Sequence, residues 1–174
     1  MARPYPDALS VSRKVLRALI WLNLLAGVLI LALLIASVVA EGPVMGALGA
    51  RPADDDSTLF QRMRLVMLLG IGSVPLAHVV LTRLLAVVDT VRGGDPFVRE
   101  NAGRLQTIAW AVLGLELVHL AVGAVATFAS SEAETLDLDW SFSLTRWLAV
   151  LLLFVLARVF DHGARMREDL EGTV

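Results

Sequence analysis

Residues 18–40 read ALIWLNLLAGVLILALLIASVVA, a run of 23 residues with no charged side chain and a single asparagine, Asn23. At about 1.5 Å per residue, a helix of that length covers the roughly 30 Å hydrocarbon core of a bilayer. Hydrocarbon offers no hydrogen bonds, so a spanning segment must satisfy its own backbone, and an α-helix does so within one segment. Apolar runs recur at 63–82, 105–129 and 144–157. The expectation is an all-α chain, one integral membrane domain over 1–174, folded as a four-transmembrane-helix bundle in the lipid bilayer. Arg13, Lys14 and Arg17 precede the first run as they would a signal peptide, and Val38-Val39-Ala40 loosely resembles a cleavage site. The run exceeds the about 7–15 residues of a signal core, so a retained span is expected.

Composition agrees: 57% hydrophobic residues exceeds the roughly 45–50% of soluble domains. A net charge of −2 argues against direct nucleic-acid binding, and the absence of cysteine removes disulfides and thiolate metal sites. Lysine and arginine near span ends are retained on the cytoplasmic side. Eleven of the fifteen fall in the N-terminal segment, the second connection and the C-terminal segment, so both termini are expected in the cytoplasm. The opposite side carries Arg51, Arg62, Arg64 and Arg146, with acidic loops around Asp54-Asp55-Asp56 and Glu132 to Asp139. Three adjacent aspartates lack the turn pattern of a calcium loop and read as solvated. Trp21, Trp110, Trp140 and Trp147 suit headgroup-level anchoring. For residues 42–50, too short and glycine-rich to span, an interfacial helix and a plain loop both fit.

The stretch 83–104 is the most patterned. Leu84, Leu85, Val87, Val88 and Val91 continue a helical apolar face beyond the second span. Gly93-Gly94 can take positive φ and end the helix, Asp95 stands as an N-cap, and Pro96 fits the first position of the next helix. An antiparallel hairpin projecting into the cytoplasm is expected, with Asp89 paired to Arg99. Gly94-Asp95-Pro96-Phe97, followed by Glu100-Asn101 and Arg104-Leu105, resembles the signature of a bacterial family of small four-helix membrane proteins, domain of unknown function 2975. That resemblance implies a bacterial inner-membrane location without an assigned activity. It also implies a helix-turn-helix regulator as cytoplasmic partner, because members are often encoded beside one. On the residues alone the motif reads as cap and turn, or as a docking tip presenting Phe97, Glu100, Asn101 and Arg104.

Ionisable groups at bilayer depth cost about 2.5–3.5 kcal/mol on insertion scales, so each is a functional candidate. Here the polar cluster is Glu116, His119, His78 and Asn23. Glu116-x-x-His119 has the spacing of a di-iron helix, but the other spans supply no carboxylate. His78, Glu116 and His119 suit zinc or iron by type. Counted from the turn, however, His78 and Glu116 differ in depth by about 9 Å, so no metal and no cofactor is expected. Pro75 predicts a kink in the second span, and Gly72 and its small neighbours are expected to permit close helix approach. Glu116, counted as level with Gly72, is expected to donate to the freed carbonyl when protonated or through a water it holds. No catalytic motif is present, so an enzyme is not expected. The sequence favours a regulatory or sensory protein that signals through the hairpin. The alternative is a small transporter or channel using Glu116, His119 and His78. A homo-oligomer is compatible with either.

Overall fold

The computed structural model describes residues 5–39, 56–94, 96–127 and 143–171. They form four helices: α1 (Tyr5–Val39), α2 (Asp56–Arg92), α3 (Arg99–Thr127) and α4 (Leu144–Glu171). There is no strand among the described residues. Three stretches are long and apolar enough to cross a membrane: Leu9–Val39, Gln61–Arg92 and Arg99–Val125. The fourth expected span is not among them. In α4 the run free of charge between Arg146 and Arg158 covers about 16 Å at helical rise, roughly half a hydrocarbon core.

Among the described residues the helices pack in chain order, α1 on α2, α2 on α3 and α3 on α4, with no comparable contact between α1 and α4. The four helices of the expected bundle are thus arranged as a row. Neighbours run antiparallel, as their contacts show. Arg13 meets Asp89, Asn23 meets Val74 and Arg64 meets Ser37 along α1 and α2. One end of the row thus gathers the start of α1, the α2–α3 turn and the later part of α4, where Phe160 packs on Phe97.

Burial is sparse and relies on small side chains. Ala102, Ala109, Ala111, Ala157 and Ala164 are buried, while Trp21, Val28, Leu29, Leu151 and Val155 are exposed. In water so much exposed apolar surface would be a liability. In lipid it is ordinary, and small residues that let backbones approach supply the helix contacts. Among the described residues a continuous core joins α2, α3 and α4, with Leu105, Ile108 and Ala157 backed by Val80, Val112 and Leu153. At the α1–α2 crossing a Cβ on Gly27 would lie 3.0 Å from Val74 Cγ1, and at the α2–α3 crossing one on Gly114 would lie 3.2 Å from Leu76 Cδ1. Gly72, expected to permit close approach, has nothing within 4 Å of such a Cβ.

Two local expectations change. α3 begins at Arg99, with Pro96, Phe97 and Val98 outside the helix, so Pro96 does not occupy its first position. Asp95, the expected cap, lies outside the described residues. Asp89 pairs with Arg13 of α1 at 3.1 Å, in place of the expected Arg99, because α1 runs alongside the end of α2. That pair is about 40% exposed on both sides, and contributes at most about 1 kcal/mol.

The two glycines of α1 and α2 should respond oppositely to a large side chain. Gly27→Leu must push α1 away from Val74 and cost about 1–3 kcal/mol. Gly72→Leu, entering open space, should leave the unfolding midpoint in detergent unchanged or slightly raised. Thermal melts of both variants followed by circular dichroism check this.

Candidate functional site

The hairpin end is built around one amide. Gly94 has φ +91°, and the amide N–H groups of Gly93 and Gly94 donate to the carbonyls of Asp89 and Val91 at 3.2 and 3.1 Å. These bonds close the end of α2 with a left-handed residue, as glycine permits. The chain then passes through Pro96 to Val98, whose carbonyl accepts from Asn101 N–H at 2.9 Å. The Asn101 side chain is fully buried. Its Nδ2 donates to the Pro96 carbonyl at 2.9 Å and to Thr90 Oγ1 at 2.8 Å, while its Oδ1 accepts from Arg104 Nη1 at 2.7 Å. Thr90 in turn donates to the Val87 carbonyl at 2.7 Å. The connection, α2 and α3 are thereby joined through one residue.

The motif is therefore mostly turned inward. Asn101 spends its polar atoms on the hairpin itself, and half-buried Arg104 turns Nη1 to Asn101 and to the Ala86 carbonyl. Phe97 stacks at a tilt on Phe160, with ring centroids 5.2 Å apart, and its edge sits over Gly163, where a Cβ would approach to 3.2 Å. Glu100 remains exposed in the first turn of α3, where a carboxylate suits the helix dipole. The gap left by Gly163, three residues after Phe160, was the available signal for Phe97 docking on α4.

Two of the polar residues within the candidate spans, Asn23 and Glu116, engage different helices. Asn23 Nδ2 donates to the Val74 carbonyl at 3.1 Å, the peptide that leads into Pro75. α2 continues as one helix through Pro75. The register set by Thr90 with Asn101 and Leu76 with Gly114 puts Glu116 level with Val74, two residues from the expected Gly72. Glu116 is turned to α4: its Oε1 lies 3.8 Å from Arg146 Nε, with the Glu116 side chain 13% exposed. The expected Glu116 contact with the proline-freed carbonyl is replaced by this ion pair, and Asn23 of α1 is the side chain that reaches the proline region. Ion pairing is how charges at membrane depth are usually accommodated. His78 Nδ1 is shielded from solvent and has no hydrogen-bond partner. Among the described residues no three His, Asp or Glu side chains converge closely enough to hold a metal ion.

The stretch 50–174, which contains α2, the hairpin motif, α3 and α4, matches the family model described as protein of unknown function (DUF2975). The chain belongs to the DUF2975 family. No curated protein and no solved structure matches it. The DUF2975 match takes in both the Asn101 network and the Glu116–Arg146 pair, and leaves α1 outside. Sequence reasoning missed two partners inside the matched region, Thr90 and Arg146. Thr90 lies eleven residues before Asn101 across a turn, and Arg146 lies thirty residues after Glu116, where no local pattern pairs them.

Truncating Asn101 strands several buried groups at once. Asn101→Ala should lower unfolding stability by about 2–4 kcal/mol, whereas Glu100→Ala should stay within about 0.5 kcal/mol of the parent. Denaturation in mixed micelles measures both. A double-mutant cycle with Glu116→Gln and Arg146→Gln should return a coupling of at least about 0.5 kcal/mol; additive effects would mean the two charges do not sense each other.

Proposed function

We propose that this protein is an integral membrane regulator, in the bacterial inner membrane with both termini cytoplasmic, that relays a change in its helix packing to a cytoplasmic partner. The observation that carries the reading is the convergence of all four helices on one end. Arg13 of α1 meets Asp89, Asn101 ties α2 to α3, and Phe97 rests on Phe160 of α4. A displacement of any helix must alter the surface around this turn, where Arg92, Glu100 and residues 165–169 of α4 are exposed. The basic residues concentrated at that end support its cytoplasmic side.

α4 is the element best placed to move. It lies at the edge of the row and touches only α3 extensively. Its polar attachment to α3 includes the long Glu116–Arg146 pair, and its aromatic attachment to the hairpin is Phe97 on Phe160. The partner is a soluble cytoplasmic protein, with the helix-turn-helix regulator implied by the family resemblance as first candidate. Transport has less support, because Glu116 faces Arg146 of α4.

The chain has no cysteine, so single-cysteine variants report topology directly. Cysteines replacing Gly94 and Met166 should both resist an impermeant maleimide added to intact cells, while one replacing Ser57 should react. Reaction at Gly94 or Met166 would overturn the assignment of that end to the cytoplasm, and the relay with it. Given the expected topology, co-purification of the neighbouring regulator with the parent chain and its loss with Phe97→Ala would support the relay. Association unaffected by that change, or none at all, would count against it.

A further inference from the structure

The seam between α3 and α4 carries two adjoining cavities of opposite character. A polar groove of about 630 Å³ lies at the hairpin end, lined by Arg99, Gly103, Gln106 and Trp110 of α3 and by Arg158 and Arg165 of α4. An apolar groove of about 980 Å³ continues from it along α4, past Leu113, Leu148, Leu151, Phe154 and Val155. Phe154 and Arg158 line both. We propose that this seam binds one anionic phospholipid, its phosphate held by Arg99, Arg158 and Arg165 and one acyl chain laid along the apolar groove.

The charges suit a phosphodiester. Three arginines face the polar groove against a single lining carboxylate, Asp161, which pairs with Arg165 at 2.9 Å. Arg99 and Arg158 are exposed and form no hydrogen bond or ion pair with any described residue. Two guanidinium groups are thus available for the bidentate contacts that phosphate oxygens favour. Basic pockets between membrane helices on the cytoplasmic side are where anionic headgroups bind. Trp110 stands at the junction, 60% exposed and edge-on to Phe154 with centroids 5.2 Å apart, as an indole at headgroup level would.

The dimensions suit one leaflet. From Arg158 back to Leu148 is about 15 Å of helix, half of a roughly 30 Å hydrocarbon core. A free phosphate would use only the arginines and leave the apolar groove unfilled. A zwitterionic lipid would bring a cationic group to an already basic site. The short apolar run of α4 gains a reason: Arg158 is where a headgroup belongs, and the exposed Leu151 and Val155 are where its chain lies. The inference rests on the reading of the protein as membrane-embedded, and it supplies a class of signal, anionic lipid content, to which α4 could respond.

The test uses the full chain purified in a neutral detergent, with thermal unfolding and native mass spectrometry as readouts. Phosphatidylglycerol should raise the unfolding midpoint by several degrees and remain bound to the intact protein. Phosphatidylcholine and inorganic phosphate should do neither. The double variant Arg99→Gln/Arg158→Gln should bind phosphatidylglycerol at least tenfold more weakly, while Arg92→Gln, an exposed arginine outside the groove, should bind it as the parent does. Leu151→Trp, which fills the apolar groove, should also weaken binding severalfold with the arginines intact. Equal binding of phosphatidylcholine, equal binding by the double variant, or an unaffected Leu151→Trp would each overturn the site. Binding lost with the topology as expected removes the lipid site alone. Binding retained with the hairpin end labelled from outside removes the cytoplasmic relay and leaves the site in the other leaflet.

Discussion

The amide of Asn101 is the interaction on which the arrangement depends. It reaches the connection at Pro96, α2 at Thr90 and its own helix at Arg104, with both donors and its acceptor engaged. A fully buried amide costs free energy unless each polar atom is matched, and here each is. The result is that α2 and α3 leave the turn with a defined register, which propagates along both helices to Gly114 and Leu76. The placement of α4 follows, because its core contacts Leu105 and Ile108 are presented by α3.

The same rule governs the rest of the row. With the shielded Nδ1 of His78 as an exception, polar side chains within the long apolar helices are used between neighbours or back onto their own helix. Asn23 joins α1 to the peptide before Pro75, and Arg64 Nη2 donates to the Ser37 carbonyl near the end of α1 at 2.6 Å. Ser73 and Thr82 donate to carbonyls three or four residues earlier in α2. Glycine and alanine supply the close contacts, because in lipid there is no hydrophobic gain from burying a leucine against another helix. Many of the large aliphatic side chains consequently face outward.

α4 departs from this pattern. It carries arginines at both ends of a short apolar run, one drawn toward Glu116 and the other standing over the seam with α3. An edge helix with a light polar attachment and a lipid-shaped seam connects the two proposals physically. A phosphate drawn to Arg99 and Arg158 would bridge α3 to α4 beside the Phe97–Phe160 contact. The exposed surface of the hairpin end would then report on the lipid around it.

The sequence by itself determined that the protein is helical, where its long apolar helices lie, that Gly93-Gly94 ends the second of them, and that it resembles its family through Gly94 to Leu105. These features are local: run length, glycine freedom and motif spacing need no knowledge of neighbours. Tertiary structure alone decided that the helices pack as a row in chain order, that Asp89 takes Arg13, that Asn101 points inward with Arg104 bonded to it, and that Glu116 turns to Arg146. The reason lies in the helices themselves. A helix apolar on every side carries no stripe to say which face will pack. That choice falls to small residues and to a few polar groups whose partners sit on other helices, at distances along the chain that no local pattern encodes.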